Sequence, residues 1–193
     1  MHCRLPAWVH DCEIRREFAF IRNFSLHYGN FTQFPDTMDR TDRRILELLQ
    51  KNGRLSNLEL AEQVNLSPSP VLRRVRALEE AGIIKDYVAL LDPVKLGLGL
   101  LAYVTVKLEK RGRTPTDAFN RAVQAWPEVV ACYAMTGEMD YLLRVHVENL
   151  DHFSRFIMDS VLKTAGVVDV KSSFALERVK ETTALPLPLK SPA

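Results

Sequence analysis

Between Ser67 and Leu78 the chain carries Arg73, Arg74 and Arg76 and no acidic residue. A guanidinium can grip a phosphate, or bond a guanine edge through two parallel hydrogen bonds. Ser67 and Ser69 offer hydroxyls to phosphate or base edges, and Pro70 stands beside them. Lys51 and Arg54, a little upstream, add charges that suit a nucleic-acid backbone. An arginine cluster alone more often marks a solvated helix face. What it means is decided by the elements that carry it.

Three helical patterns hold these residues. The first runs from about Thr41 to Lys51, with Ile45, Leu48 and Leu49 at helical spacing, and Asn52-Gly53 is expected to end it through a left-handed glycine. The second follows Ser56, a good N-cap residue, carries Leu58, Leu60, Ala61 and Val64, and stops near Asn65. The third starts at Ser67, expected to cap it, with Pro68 at the first helical position. Val71, Leu72, Val75 and Leu78 form its apolar stripe, and Gly82 closes it. Ser69, Pro70, Arg73, Arg74, Arg76 and Ala77 fall outside that stripe. A short helix, the tight turn Asn65-Leu66-Ser67 and a basic second helix make a helix-turn-helix pattern, in which the second helix enters the major groove. Its N-terminus would add N–H groups and a positive dipole end for phosphate.

Ile83 to Leu91 then predicts a strand and linker, ended by Asp92-Pro93. From about Leu98 the pattern changes. Ala102, Val104, Val106 and Leu108 alternate with polar residues as in a strand. Thr116 to Trp126 predicts a helix, Val129 to Met135 a strand, Thr136 to Met139 a turn around Gly137, and Tyr141 to Val147 another strand. Leu150 to Thr164 predicts a helix and Val167 to Leu176 a fourth strand. The order is βαββαβ, the ferredoxin-like arrangement. Both helices on one face leave the other face of the sheet open, and dimerisation is one way to cover it. Leu185-Pro186-Leu187-Pro188 is expected to be extended and exposed. The fold class is α+β. An atypical extension at 1–37 precedes a helix-turn-helix domain at 38–83. A linker strand at 84–97, a ligand-binding and oligomerisation domain at 98–177 and a tail at 178–193 follow.

Composition narrows the function. The chain has 193 residues, 47% hydrophobic and 26% charged, an ordinary globular balance. Its net charge is only +2, so any nucleic-acid affinity must come from local positive charge. Cys3, Cys12 and Cys132 are too few and scattered for a disulfide framework, which favours a reducing cytoplasm. No apolar run approaches bilayer length, and the first residues lack the apolar core of a signal peptide. Residues 1–37 hold many aromatics without any period, consistent with a disordered arm or with a biological start at Met38. Cys3, His10 and Cys12 match no standard zinc spacing, and no Cys or acid stands at ligand spacing around His27, His146 or His152. Cys132 reads as a small packed side chain. No phosphate loop, dinucleotide fingerprint or nucleophile motif is present. Neither an enzyme, a metal nor a cofactor is expected.

These phrases carry a family resemblance. Met38 to Asp92, through Asp39-Arg40-Thr41-Asp42-Arg43-Arg44-Ile45-Leu46, Leu66-Ser67-Pro68-Ser69-Pro70, Arg74-Val75-Arg76-Ala77-Leu78-Glu79 and Gly82-Ile83-Ile84, resembles the DNA-binding half of the Lrp/AsnC (leucine-responsive regulatory protein) family. Thr136-Gly137-Glu138-Met139-Asp140-Tyr141-Leu142-Leu143 is similar to that family's RAM domain, and the closing Ser172-Ser173-Phe174-Ala175-Leu176 and Thr182-Thr183-Ala184-Leu185-Pro186-Leu187 resemble one subgroup. The resemblance implies a cytoplasmic, nucleoid-associated transcription regulator of amino acid metabolism. It would pair with itself, assemble further, and read an imperfect palindrome in double-stranded DNA. It also implies an amino acid effector held between RAM domains by the loop Met135, Thr136, Gly137, Glu138, Met139 and Asp140. Gly137 would let backbone approach a ligand. Asp140 or Glu138 could accept hydrogen bonds from an α-ammonium group, and loop N–H groups could receive the α-carboxylate. The family usually has Asp directly after the Gly. Glu138 adds a methylene there, which bears on which effector fits. The alternatives are an amino-acid-binding regulatory subunit of an enzyme, and a DNA-bridging nucleoid organiser.

Overall fold

A computed structural model of the chain describes residues 38–109 and 114–187. The expectations for 1–37, with Cys3, His10, Cys12 and His27, and for the end of the tail lie outside these residues. The described chain forms two compact units, one of residues 38–86 with 184–187, the other of residues 87–183.

The first unit is helical. Helix α1 (Arg40–Lys51) starts at a reciprocal cap: the Asp39 carboxylate accepts the Asp42 N–H at 2.9 Å, and the Asp42 carboxylate accepts the Asp39 N–H at 3.1 Å. It ends at Asn52 in an extended conformation. Gly53 does not take the expected left-handed one. Asn52 Oδ1 instead accepts the Arg54 N–H at 3.0 Å and turns the chain by itself. Helix α2 (Asn57–Val64) has the same reciprocal cap between Ser56 and Glu59, and stops at Asn65, left-handed at φ 54°. Helix α3 (Pro68–Glu80) closes on Gly82 at φ 68°, with Gly82 N–H to the Glu79 carbonyl at 2.9 Å and Ile83 N–H to that of Leu78 at 3.0 Å. That is a Schellman closure, which needs a residue without a Cβ penalty. Ile45, Leu46 and Leu48 from α1, Leu60 and Ala61 from α2, and Val71, Val75 and Leu78 from α3 make the core. Leu72, expected in the stripe, is only half-buried.

Arg74 corrects the sequence expectation. It stands three residues after Val71 and four before Leu78, so helical geometry turns it toward the core edge and not outward. Its Nη1 donates to Asp39 Oδ2 at 2.7 Å and to Asp42 Oδ1 at 2.8 Å. The Asp42 side chain is only 11% exposed. Burial pulls the Asp39 carboxyl upward, but the Asp42 N–H and the Arg74 guanidinium outweigh it and hold Asp39 below its ordinary range. The guanidinium in turn is held more basic than usual by Asp42 and Asp39. Arg74 is therefore a clamp between α3 and the start of α1.

Two segments between and after the units differ from expectation, the second only at its end. Residues 84–97 contain no strand. Their apolar alternation suits one, but a strand needs a backbone partner, and none in the described chain pairs with it. Asp92 Oδ1 accepts the N–H groups of Val94 and Lys95, which starts a turn in place of a ladder. The tail is exposed through Pro186 and forms no helix or strand, as expected, but at residues 184–187 it returns to the helical unit, where Leu187 is half-buried against the core.

In the second unit β1 (Leu100–Leu108), α4 (Thr114–Gln124), β2 (Val129–Ala134), β3 (Tyr141–Val147), α5 (Leu150–Phe156) and β4 (Val167–Phe174) follow the expected βαββαβ order. A π-helical turn, Ile157–Val161, continues α5. The sheet order is β2-β3-β1-β4, and every pair is antiparallel. Strict alternation sends Ala102, Val104, Val106 and Leu108 of β1, and Tyr141, Leu143, Val145 and Val147 of β3, to one buried face. Phe119 of α4 and Phe153, Phe156 and Val161 of the second helical segment cover it. Phe119 meets Tyr141 at 4.6 Å and Trp126 edge-on at 5.9 Å between ring centroids. Gly166, at φ 87°, lies so close to Pro115 that a Cβ would sit 2.5 Å from the proline Cβ.

Two stability outcomes follow from this packing. Arg74→Ala removes the clamp and leaves the buried Asp42 carboxylate without its cation, so thermal unfolding should show a loss of about 1–3 kcal/mol. An unchanged melting curve would remove the clamp from the account. Gly166→Ala combines a strained φ with a clash against backbone-anchored proline and should cost the second unit about 2–4 kcal/mol in a denaturant titration. A loss under ~0.5 kcal/mol would mean that Pro115 moves aside freely.

Candidate nucleic-acid interface and effector loop

The exposed side of α3 is built by the burial of its opposite side. With Val71, Val75 and Leu78 in the core, Ser69, Arg73 and Arg76 are carried to the far side of the helix, where all are exposed. Ser69, Leu72, Arg73, Arg76, Ala77 and Glu80 line one side of an open concavity of about 350 Å³. No ion pair engages Arg73 or Arg76 among the described residues. Two guanidiniums are thus presented side by side without a competing carboxylate bound to them.

The start of α3 is less rich in donors than the sequence suggested. Ser67 takes the cap backbone conformation, but its hydroxyl makes no cap hydrogen bond. Pro68 and Pro70 have no N–H, so of the four N–H groups a helix start leaves open, only those of Ser67 and Ser69 remain. In exchange, both serine hydroxyls are exposed and uncommitted to capping. No acidic residue sits in the first turn to repel an anion. Pro70 is half-buried at the edge of this face. Lys51 closes α1 and Arg54 follows in the turn; both are exposed, though neither lines the α3 concavity. Of the arginines expected to face outward together, Arg73 and Arg76 share one surface and Arg74 does not. The helical spacing of Arg74 to Val71 and Leu78 was the available sign. The reciprocal Asp39–Asp42 cap, legible as Asp-x-x-Asp, was the missed partner.

In the other unit the β2–β3 connection holds the expected loop. Gly137 has φ 110°, a conformation that side chains rarely adopt. Asp140 ties the loop to its surroundings through one carboxylate oxygen and both of its backbone groups. Its carboxylate accepts the Leu108 N–H at 2.7 Å where the β1–β4 register shifts, its N–H donates to the Val106 carbonyl at 3.0 Å, and its carbonyl accepts the Met135 N–H at 2.8 Å. Glu138 is exposed and pairs with Lys171 of β4 at 3.0 Å. That hydrogen bond, then the Lys171 charge and the Lys107 charge, hold the Glu138 carboxyl below its ordinary range, and Glu138 raises Lys171 in return. Both side chains are well solvated, so the pair adds little stability. Between Met135 and Asp140, the N–H groups of Thr136, Gly137, Glu138 and Met139 make no backbone hydrogen bond within the described chain. Met135 is 43% exposed beside them, and Met139 is half-buried. The loop offers main-chain donors, a carboxylate and thioether surface in one short stretch, with the Lys171 ammonium of β4 beside it.

Other groups are placed for packing. Cys132 is half-buried on β2, and burial pushes its thiol up, away from the reactive thiolate. His152 Nε2 lies 3.4 Å from Glu128 Oε1. Among the described residues no group of three or more His, Cys, Asp or Glu is placed to hold a metal ion, and no helix is long and apolar enough to cross a membrane.

Comparison with known proteins agrees with both halves. Residues 38–85 match the winged helix-turn-helix DNA-binding family, and residues 101–185 match the Lrp/AsnC ligand binding domain. The chain is 40% identical over 148 residues to the leucine-responsive regulatory protein of Escherichia coli strain K12, covering 77% of this chain and 90% of that one. A transcriptional regulator from Neisseria meningitidis, solved as an L-Met complex, is similar at 49% identity with a TM-score of 0.76, covering 78% of this chain and 97% of the other. E. coli AsnC is similar at 25% identity and a TM-score of 0.71, covering 77% and 99%. On its helical DNA-binding unit, its four-stranded antiparallel sheet and these relatives, the chain belongs to the Lrp/AsnC family of DNA-binding transcriptional regulators with an amino-acid ligand-binding domain.

Proposed function

We propose that paired copies of this protein lay α3 of each subunit into successive major grooves of an imperfect palindrome, and that an amino acid at the 135–140 loop sets how fully the site is occupied. The observation that carries the reading is the exposed Arg73–Arg76 face of α3, opposite the buried Val71–Val75–Leu78 stripe. Arg73 and Arg76 read base edges or grip phosphate. Ser67 and Ser69 bond phosphate through their hydroxyls and their N–H groups, and Pro70 shapes the leading turn. Lys51 and Arg54 add backbone contacts. Arg74 is assigned to positioning, since both its carboxylate partners belong to α1.

Pairing is supported by apolar surface that a lone chain leaves in water. Val88, Leu90 and Leu91 of the linker are 72%, 72% and 70% exposed, and Tyr103 and Tyr133 stand on the sheet face that no helix of the described residues covers. Effector binding then changes how these pairs associate, and through that the occupancy of DNA. The Neisseria relative was solved with L-Met, which makes that amino acid the first to test here. In the loop the free N–H groups and Lys171 suit the α-carboxylate, and Glu138 suits the α-ammonium. Asp140 holds the loop open for them. Such a protein acts in the cytoplasm on nucleoid DNA and catalyses nothing itself.

Two measurements test the reading. Arg73→Ala and Arg76→Ala should each weaken binding to a duplex selected from a random-sequence pool by about 1–3 kcal/mol, with the oligomer intact by light scattering. Where the lost contact is to phosphate, the slope of log affinity against log salt should fall by ~0.9. Unchanged gel-shift affinity removes these residues from the interface, and a specific-to-random ratio near one would favour a DNA-bridging organiser. For the loop, thermal unfolding is followed with each of the twenty amino acids. A binder at a hundredfold its dissociation constant adds about 2.7 kcal/mol. L-Met or another apolar amino acid should raise the melting temperature of the intact protein, and Gly137→Val, strained at φ 110°, should abolish that rise. A rise that survives the substitution places the effector elsewhere.

A further inference from the structure

Near the end of the described chain, Leu185 is gripped on both of its backbone groups by one side chain of α1. Gln50 Nε2 donates to the Leu185 carbonyl at 3.2 Å, and Gln50 Oε1 accepts the Leu185 N–H at 2.5 Å. A primary amide used this way stands in for a neighbouring strand, since it supplies one donor and one acceptor at matching spacing. Two residues on, Leu187 packs against the apolar cluster that holds Ile45, Leu48 and Leu60. Pro186 between them has its φ fixed in advance, so less chain freedom is lost on docking. The contact joins positions 135 residues apart. Neither of its hydrogen bonds uses α3, so the DNA-facing side is left clear.

The other connection to the helix-turn-helix unit is the segment 84–97, which forms no strand. A second attachment cuts the freedom of a binding module beyond what one linker leaves it, and raises the effective concentration of the module at its site. We propose that Leu185–Leu187 is a latch that holds each helix-turn-helix unit at two points of the chain, and that this restraint strengthens binding of paired units to an operator with two half-sites. The inference rests on the DNA-binding reading above and adds to it how the bivalent grip is stiffened.

The test uses the full chain, its Gln50→Ala and Gln50→Glu forms, and a form ending at Thr183. Gln50→Glu keeps an acceptor for the Leu185 N–H but has no donor for the carbonyl. In amide hydrogen exchange the Leu185 N–H of the intact protein should be slowed at least about tenfold, lose that protection in Gln50→Ala, and keep part of it in Gln50→Glu. Gel-shift titrations compare two duplexes from a random-sequence selection, one with both half-sites and one with a single half-site. Gln50→Ala and the shortened chain should bind the paired duplex about tenfold more weakly and the single half-site as well as the intact protein does. A Leu185 amide that exchanges freely in the intact protein, or equal paired-site affinity in all forms, overturns the latch. If the intact protein binds neither duplex while Leu185 stays protected, the DNA-binding reading fails, and the affinity part of the latch falls with it.

Discussion

One guanidinium carries the geometry of the DNA-binding unit. Arg74 reaches from the middle of α3 to the Asp39 and Asp42 carboxylates, which already cap each other at the start of α1. Charge-assisted bonds of 2.7 and 2.8 Å to two acids are short and directional. Together with the buried Val71, Val75 and Leu78 they fix the rotation of α3 about its own axis. Rotation is what matters here, because a helix of this kind is read by which side chains it turns outward. Were Arg74 to point away, as Arg73 does, α3 would have one more cation for DNA and would lose its bonds to Asp39 and Asp42.

The ligand-binding unit uses a carboxylate in a comparable way. Asp140 accepts the Leu108 N–H where the ladder between β1 and β4 slips, and ties the exit of the loop to Val106 and Met135. One oxygen of an acid that looks like a ligand group in the sequence is thereby bound to backbone. The loop's remaining polar surface is the run of unpaired N–H groups around Gly137, with Glu138 and Lys171 facing each other at solvent-exposed positions. A weak, solvated ion pair is easily opened, and its two ends carry the charges complementary to a zwitterion. In both units, then, an acid bonded at the edge of the site shapes it, and exposed groups are left to meet a partner.

Hydrophobic periodicity and capping chemistry made most of the fold legible. The three helices, their Ser56 and Gly82 boundaries, the six elements of the βαββαβ unit and the exposed pair Arg73 and Arg76 all follow from residue type at fixed spacing, which acts locally. The linker strand does not form in the single chain, for the opposite reason. Its apolar alternation is a local property, but a ladder requires a second backbone, and none in the described chain supplies it.

What the sequence determined by itself was therefore the identity and order of elements, the family, and which helix bears the arginines, because those rest on neighbours within a few residues. Only the tertiary structure decided that Arg74 belongs to α1's acids, that Asp140 belongs to Leu108, and that Leu185 belongs to Gln50. Each of these is a polar contact between residues 32 or more apart in the chain. A hydrogen bond at that separation depends on where folding brings two side chains, and no periodicity records it.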